Sequence, residues 1–450
     1  MRPSAICVVG AGHVGLVTAA CLAELGHRVT CVDVDEDRVE SLRSGSVPIH
    51  EPGLEALIAR HTAGGALKFT TSYDEALDSV EFIFVAVNTP STPEGAADLR
   101  YVRRAARQIG HALKNGRPII VNKSTVPVGT AETVDHILRQ EASGLGELPV
   151  VSNPEFLREG TAIEDFMKPD RVVLGCRDRE AAQRVAGLYG SLEAPVLITD
   201  PETAEMIKYA SNAFLATKIS FINEIASVCE GVGADVNQVA QGMGLDRRIG
   251  PQFLRAGIGY GGSCLPKDVK ALAHMASIYG SHPQLLNAVL QINVDQRRRV
   301  VRRLRQILGS LEGATVAVLG LAYKADTDDV RDAPAIDIMR LLDYEGAAVR
   351  AYDPVANDAL AEILPDVTYC SDPYEAVSGC DAVIIATEWP QFLEMDLGRV
   401  KAGMRRPVLV DGRNLLDPDV VRSHGFVYLG VGRPDHLQEP LVLEPQAKEA

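Results

Sequence analysis

The sequence lacks an apolar run of the roughly 20 residues that a membrane-spanning helix needs. The stretch from Ile6 to Leu25 has the hydrophobicity of a signal peptide, but glycines and His13 interrupt it and it leads into a predicted strand. The chain also lacks a CxxC pair and any regular spacing of its eight cysteines. We therefore expect reduced thiols, a cytoplasmic location and no membrane association.

Positive charge is also scarce, because 60 acidic residues outnumber 45 basic ones and the formal net charge is −15. Such a balance argues against binding to nucleic acid or to an anionic membrane surface. Anionic ligands would need local positive sites, such as helix N-termini or individual lysines and arginines. A length of 450 residues with 46% hydrophobic content allows two or three globular domains.

The N-terminal segment has the pattern of a dinucleotide-binding unit. A strand, Ala5 to Val9, leads into the glycine-rich turn GAGHVG and a helix, and a second strand, Arg28 to Val32, ends at Asp33. In this context the glycines place a pyrophosphate on the helix N-terminus, and the acid binds ribose hydroxyls. Asp33 favours NAD over NADP, although Arg38 nearby is able to receive a 2′-phosphate. The predicted contacts are Gly10, Gly12, His13, Val14, Gly15, Asp33 and Arg38.

Three further strands follow at the spacing of an α/β fold, at 82–87, 118–121 and 149–151. Open parallel sheets bind ligands in the loops at the carboxyl ends of their strands. These loops contain four candidate binding residues, each of which could instead be only a turn or cap residue. They are Thr89, Thr125, Glu155 and Glu159.

Asp200 and Pro201 are typical of a helix start, with the aspartate as N-cap. The pattern predicts one helix to about Cys229, ended by Gly231, with a length of roughly 45 Å at about 1.5 Å per residue. So long a helix is expected to join domains. Lys208 and Asn212 share one of its faces, as either a functional pair or a solvated lysine beside an amide. Helical structure is predicted to continue to about Leu308.

A glycine-rich loop within this helical region ends in a candidate nucleophile. Four glycines in the six residues 257–262 precede Cys264, and Lys267 and Asp268 follow. The lysine would favour the reactive thiolate, and the aspartate could serve as acid, base or water-holder. The other seven cysteines lie in apolar runs and are expected to be small buried side chains. No metal site is predicted.

A second Rossmann-like unit begins near residue 312. Strand 315–319, Gly320, a helix near 335–342 and strand 347–352 repeat the first layout, but the turn lacks GxGxxG, so a different nucleotide is plausible. Lys324 and Arg413 follow strand ends, where a cation would meet a pyrophosphate. Further strands are predicted at 383–387 and 408–410. The fold class is α/β, with two Rossmann-like doubly wound domains joined by a long central helix and a helical middle domain. The expected boundaries are 1–199, 200–310 and 311–435, with a mobile tail at 436–450.

From residue 1 to about 435 the chain resembles the UDP-glucose/GDP-mannose dehydrogenase family. The motifs that carry this resemblance are GAGHVG, HEPGL, VNTP, STVPVGT, NPEFLREG, GYGGSCLPKD, GLAYK, RDAP and DGR. The resemblance implies an N-terminal domain for NAD, a C-terminal domain for a nucleotide-sugar and a long helix between them. It also implies at least a homodimer, because Arg248 resembles an arginine offered to the substrate of the neighbouring subunit.

The resemblance implies a role for each matched residue. The catalytic group is Cys264 as nucleophile, Glu155 as acid/base, and Lys208, Asn212, Asp268 and Thr125 around the reacting carbon and a water. The implied NAD contacts add Thr89, Thr125, Glu159, Lys267 and Arg331 to those of the glycine-rich turn. The implied substrate contacts are Glu155, Phe156, Leu157, Arg158, Glu159, Lys208, Asn212, Arg248, Phe253, Leu254, Arg255, Ala256, Gly257, Tyr260, Gly261, Lys324 and Arg413.

The implied reaction oxidises UDP-glucose to UDP-glucuronate with two NAD⁺ per sugar, through a thiohemiacetal and a thioester on Cys264. A GDP-mannose or UDP-N-acetylmannosamine dehydrogenase would share these catalytic residues, although the segment after NPEFLREG is closer to the UDP-glucose branch. A one-hydride dehydrogenase of the hydroxyacid type, with a structural Cys264, is a further alternative. A non-catalytic nucleotide-sugar sensor is the alternative from another class.

Overall fold

The computed structural model describes residues 2–142 and 144–434, and these fall into two units. Among them, the first unit contains residues up to 213 together with 267–283 and 326–328. The second contains 214–266, 284–325 and the residues from 329 onward. The predicted tail, 436–450, lies outside the described residues. No helix in the described ranges combines the length and hydrophobicity needed to span a bilayer.

The first unit is built on an eight-stranded sheet. Its order is β3-β2-β1-β4-β5-β6-β7-β8, and only the β6–β7 pair is antiparallel. The strands are β1 Ala5–Val9, β2 Arg28–Val32, β3 Leu67–Thr70, β4 Phe82–Val85, β5 Ile119–Asn122, β6 Val150–Ser152, β7 Val172–Gly175 and β8 Val196–Thr199.

Helices cover this sheet and bury both of its faces. Ile6 and Val8 of β1 pack in one hydrophobic core, whereas Cys7 and Val9 pack in another. Burial on both faces explains why these strands read as continuous apolar runs. The helices are α1 His13–Glu24, α2 Glu36–Arg43, α3 Leu54–Ala63, α4 Tyr73–Ala76, α5 Arg100–Ala112, α6 Thr130–Glu141, α7 Ala162–Met167 and α8 Arg179–Leu188.

Four helices follow in the chain: α9 Pro201–Val232, α10 Val236–Gly244, α11 Leu265–Ile278 and α12 Gln284–Leu308. Asp200 precedes α9, and its Oδ1 accepts a hydrogen bond of 2.7 Å from the Thr203 amide, as its N-cap position predicts. The expected stop at Gly231 is wrong by two residues. The helix includes Gly231 and ends at Val232, because Gly233 adopts the left-handed conformation with φ +78°.

The second unit contains a six-stranded parallel sheet in the order β11-β10-β9-β12-β13-β14. Its strands are β9 Thr315–Leu319, β10 Ala348–Tyr352, β11 Thr368–Tyr369, β12 Ala382–Ile385, β13 Val408–Asp411 and β14 Val427–Gly430. The helices after β9 are α13 Pro334–Tyr344, α14 Asn357–Ala361, α15 Pro373–Val377, α16 Pro390–Leu393, α17 Leu397–Gly403 and α18 Pro418–Ser423.

The α/β class with two Rossmann-like sheets and a long central helix is confirmed. The predicted extents of β1, β2 and β9 match the structure, but the strands expected to reach residues 87 and 387 end at Val85 and Ile385. Their apolar runs continue into buried loops, which periodicity alone does not separate from strand. Sequence reasoning also missed five strands: β3, β7, β8, β11 and β14.

Candidate active site

The glycine-rich turn after β1 has the geometry of a pyrophosphate cradle. Gly10 adopts φ +105° and its amide donates to the Val32 carbonyl oxygen at 2.8 Å. A Cβ at Gly15 would lie 1.9 Å from the Gly10 oxygen, so only glycine fits there. Helix α1 begins three residues after Gly10, and its N-cap, Gly12, offers no capping side chain. The helix N-terminus therefore suits an anionic ligand.

Asp33, at the end of β2, completes this cradle. Its Oδ2 accepts from the Ala11 amide at 2.6 Å and its Oδ1 from the Asp35 amide at 3.0 Å. An Arg38 nitrogen lies 3.7 Å from Asp33 Oδ2. The side chain is 10% exposed, and each oxygen accepts one amide, which leaves lone pairs for a ribose hydroxyl. These features fit NAD.

Glu51, in the HEPGL motif, connects the cradle to the loop that contains Glu155 and Glu159. Its carboxylate accepts from the Gly160 amide at 2.7 Å and from the Ala162 amide at 2.8 Å, and it is buried. His13 Nε2 lies 3.1 Å from Glu51 Oε2. The motif itself had indicated no role for Glu51. An acid in a short motif far from a strand end gave no local signal of this contact.

Two threonines meet at the carboxyl ends of β4 and β5. The Thr89 hydroxyl donates to the Thr125 carbonyl oxygen at 2.8 Å, and both residues are buried. The two strands are neighbours in the sheet, so their end loops converge, as the strand-end argument predicts.

A buried ion pair lies near these loops. Lys208 Nζ on α9 is 2.8 Å from Glu155 Oε1, and both side chains are 4% exposed. Glu155 Oε2 accepts from the Leu157 amide at 2.6 Å. Burial alone would raise the pKa of Glu155, but the charge and hydrogen bond of Lys208, with the Leu157 amide, lower it below its ordinary value. These contacts therefore favour the ionised form of the Glu155 carboxyl group.

A second polar group forms on the same face of α9. Asn212 Nδ2 donates to Asp268 Oδ2 at 2.6 Å, and Lys267 Nζ donates to Asp268 Oδ1 at 2.5 Å. Asp268 is fully buried. The predicted relation of Lys208 and Asn212 therefore places both beside carboxylates, which contradicts the alternative of a solvated lysine.

Cys264 stands immediately before α11, whose first turn contains Lys267 and Asp268. It is the only partly exposed cysteine among the eight, all of which lack disulfides, and the other seven are buried. Burial raises the pKa of the Cys21 thiol to about 12 and that of Cys380 to about 11. A position before a helix N-terminus favours thiolate instead, so the structure separates Cys264 from the inert cysteines.

The loop after β6 presents the predicted substrate contacts 156–159. The Phe156 ring packs under the guanidinium of Arg171 at 4.0 Å and faces Lys208 Nζ at 5.4 Å. The exposed Arg158 side chain forms a two-point contact with Asp165. Leu157 and Glu159 are half-buried.

In the second unit, the loop before Cys264 is clamped by polar side chains. Asn223 Oδ1 accepts from the Gly257 amide at 2.8 Å, and Asn293 bonds both the amide and the carbonyl of Tyr260. A Cβ at Gly261 would lie 2.3 Å from the Asp332 oxygen. Phe253 adopts a left-handed φ of +64°. Leu254 and Ala256 are buried, whereas Arg255 is exposed.

The remaining predicted cations of this unit are held differently. The Arg413 guanidinium donates to the backbone oxygens of Gly259, Ala386 and Tyr323, so it fixes the loop. Lys324 Nζ lies 5.6 Å from the Tyr323 ring. Arg331 and Arg248 pair with Asp329 and Asp246, and their side chains are 61% and 85% exposed.

The chain matches three domain models of one dehydrogenase family. Residues 4–193 match the NAD binding domain of the UDP-glucose/GDP-mannose dehydrogenase family, 202–295 its central domain and 317–418 its UDP binding domain. The chain belongs to this family. It is 49% identical over 430 residues to UDP-glucose 6-dehydrogenase TuaD of Bacillus subtilis, covering 95% of this chain and 93% of the relative.

Solved structures of other dehydrogenases are similar to the structure of this chain. A UDP-glucose dehydrogenase from the hyperthermophilic archaeon Pyrobaculum islandicum has a TM-score of 0.91 and 43% identity, over 96% of this chain and 98% of that one. A UDP-D-ManNAc dehydrogenase from Pyrococcus horikoshii has a TM-score of 0.86 and 28% identity, over 96% and 100%. This family member is therefore an NAD-dependent dehydrogenase by its domains.

Proposed function

We propose that this chain oxidises UDP-glucose to UDP-glucuronate with two NAD⁺ per sugar. The observation that carries the proposal is the pair of buried groups in a family member, Lys208 with Glu155 and Asn212 with Asp268. High identity to proteins named UDP-glucose 6-dehydrogenase favours this substrate over the N-acetylmannosamine nucleotide, whose dehydrogenase is 28% identical.

In the proposed mechanism, the glycine-rich cradle and Asp33 would hold NAD⁺, which would supply the hydride acceptor for both oxidations. Lys208 and Asp268 hold the water through which the first alcohol proton leaves. The Cys264 thiolate adds to the aldehyde carbon, and oxidation of this thiohemiacetal leaves a thioester. Glu155, whose ionised form is favoured by Lys208 and the Leu157 amide, takes a proton from the water that attacks the thioester, and the C–S bond breaks to return the thiolate.

Lys208 and Asn212 are the proposed donors to the oxyanion that forms on the sugar carbon. Removing one such donor typically costs ~3 to 4 kcal/mol in the transition state. Thr125 is proposed to complete this group. Thr89, Glu159, Lys267 and Arg331 remain proposed NAD contacts beside the glycine-rich cradle. The proposed sugar-nucleotide contacts are Glu155 to Glu159, Arg248, Phe253 to Gly257, Tyr260, Gly261, Lys324 and Arg413.

The decisive test is Cys264→Ser, with the buried Cys370→Ala as control. An alkoxide leaves poorly from an ester, so we expect the serine variant to lose UDP-glucuronate formation while the control retains it. NADH and UDP-glucuronate are measured together, and wild-type protein should yield two NADH per sugar. Undiminished glucuronate from Cys264→Ser would remove the nucleophile from the mechanism.

The alternatives give other outcomes in the same assay. One NADH per sugar would indicate a one-hydride dehydrogenase, and turnover only with GDP-mannose or UDP-N-acetylmannosamine would reassign the substrate. Binding of nucleotide-sugars without NADH formation would indicate a sensor.

We also propose a homodimer in the cytoplasm. Phe214, Phe221 and Val228 are 64%, 41% and 55% exposed and recur every seven residues along α9, so they form an apolar stripe. The exposed Arg248 is available to a second copy. Phe221→Glu should lower the mass in sedimentation equilibrium to that of a monomer. A monomeric wild-type protein would contradict the dimer.

The domain boundaries 199/200 and 310/311 are likewise proposed.

A further inference from the structure

Lys123 is a buried lysine that the mechanism proposed above does not use. It follows β5 directly and is 5% exposed. Its ammonium donates to Asn153 Oδ1 at 3.2 Å and faces the rings of Phe166 and Tyr189 at 5.9 and 5.8 Å. Aromatic faces stabilise a cation that has lost its hydration. These contacts therefore offset part of the cost of burying an ammonium.

Hydrogen bonds connect the side chains that surround Lys123. The Tyr189 hydroxyl donates to Asn153 Oδ1 at 2.6 Å, and Asn153 Nδ2 donates to the Val173 oxygen at 2.9 Å. The rings of Phe166 and Tyr189 are 5.9 Å apart. Asn153 lies two residues before Glu155 in the NPEFLREG motif. The same side chain thus anchors Lys123 and the start of the Glu155 loop.

Two lysines, Lys208 and Lys123, act on the single carboxylate of Glu155. Lys208 is 2.8 Å from Glu155, and Lys123 adds a second positive charge that acts on Glu155 through space. Burial, with a smaller contribution from Lys208, lowers the pKa of Lys123 to about 8, and Glu155 opposes this shift. A buried charge is costly, and such charges are concentrated at functional sites.

Lys208 has three tasks in the proposed mechanism, since it pairs with Glu155, helps to hold the water of the first oxidation and donates to the oxyanion. We propose that Lys123 is a positioning residue that supplies the standing counter-charge of Glu155, so that Lys208 can turn to the oxyanion while Glu155 stays ionised for thioester hydrolysis. This inference rests on the proposed function. It goes beyond that function by assigning a second ammonium to the hydrolytic step.

The test compares Lys123→Met, which removes the charge at similar length, with Lys123→Arg, which retains it. The exposed Lys168→Met is the control for loss of a distant charge. We expect the acid limb of the kcat profile to move to higher pH in Lys123→Met, by up to about one pH unit, because loss of the positive charge raises the pKa of Glu155. The thioester adduct on Cys264 should accumulate by mass spectrometry, with KM for UDP-glucose unchanged. Lys123→Arg and Lys168→Met should keep the wild-type acid limb.

A purely structural lysine gives a different result. Lys123→Met would then lower the melting temperature and leave the acid limb unmoved, which would overturn the proposal. If Lys123→Met does not fold, Lys123→Gln takes its place against Lys123→Arg. The infrared carboxyl band of Glu155, assigned with Glu155→Gln, reports its ionisation without turnover. A wild-type protein inactive on UDP-glucose would refute the proposed function, whereas an unchanged Glu155 band in the neutral variants would refute the role of Lys123.

Discussion

The two Rossmann-like units share the geometry of their first turn. They differ in whether the acid after the second strand and a helix N-terminus remain accessible to a ligand. Gly10 and Gly320 both adopt left-handed backbone, and each amide donates at 2.8 Å to the last residue of the next strand, Val32 or Tyr352. The next amide donates at 2.6 Å to the acid after that strand, Asp33 or Asp353. These contacts stabilise both turns in the same way.

Beyond these contacts the units diverge. Asp33 is partly exposed and accepts from two amides, whereas the buried Asp353 accepts from four amides and the Trp389 indole. Helix α1 starts at His13, directly after its turn, but α13 starts only at Pro334, after loop 321–333. The acid after the second strand is first an organiser of the turn. We propose that it serves as a ribose ligand only where a carboxylate oxygen and a helix N-terminus stay accessible, as at Asp33.

The largest expected effect separates two glycines of the first turn. Gly15→Ala places a Cβ 1.9 Å from the Gly10 oxygen, so we expect a loss of about 3 kcal/mol or more in the free energy of unfolding. At Gly12 the nearest atom would be Asn88 Oδ1 at 3.6 Å, so Gly12→Ala should unfold like wild type but bind NAD more weakly. Denaturant titration and calorimetric binding measure both. Equal stability losses would contradict this view of the turn.

The same substitution in the two acids tests the comparison directly. Asp353→Asn turns an amide group toward backbone donors, so it should cost about 2 kcal/mol or more of unfolding free energy and leave NAD affinity unchanged. Asp33→Asn should weaken NAD binding by roughly ten- to a hundredfold with a smaller stability loss. If Asp353→Asn also weakened NAD binding, the assignment of NAD to the first unit alone would be wrong.

Glu205, on α9, is a further buried acid whose hydrogen-bond acceptors are occupied by protein donors, as they are in Asp353. It accepts from the Gly129 and Ala131 amides and the Ser152 hydroxyl, yet burial outweighs these donors and raises its pKa to about 7. The contribution of this raised pKa to the free energy of unfolding is complete below about pH 4.5. It is lost as the pH rises through about 7, and the loss is at most about 3 kcal/mol. Glu205→Gln should flatten that slope. Denaturation of both proteins at pH 5 and pH 8 measures it, and identical slopes would count against the assignment.

The smallest effect is expected at Arg38. It lies 3.7 Å from Asp33 with 36% of its side chain exposed, a contact worth under about 1 kcal/mol. Arg38→Ala should change NAD affinity less than about fivefold and reduce any binding of NADP. Isothermal titration with both cofactors measures the difference. A loss of NAD affinity as large as that of Asp33→Asn would show that the arginine contacts NAD directly.

Local patterns predicted much of the fold and many of the candidate residues. The spacing of glycines, apolar runs and the Asp200 cap gave β1, β2, β9 and the start of α9. The four-residue strands β7 and β8 were missed, although their apolar runs resemble those of β4 and β5, so the sequence did contain a signal for them. The edge strand β11 has two residues and was also missed.

The sequence by itself determined the two Rossmann-like patterns, the glycine-rich turn with Asp33 and the lone cysteine before a helix, because each depends on neighbours within one stretch of chain. Only the tertiary structure decided that Asp353 is saturated by donors, that Glu155 pairs with Lys208, and that Lys123 is caged by Phe166 and Tyr189. The burial and partners that control these charges come from segments distant in sequence, and no local spacing encodes which of them meet.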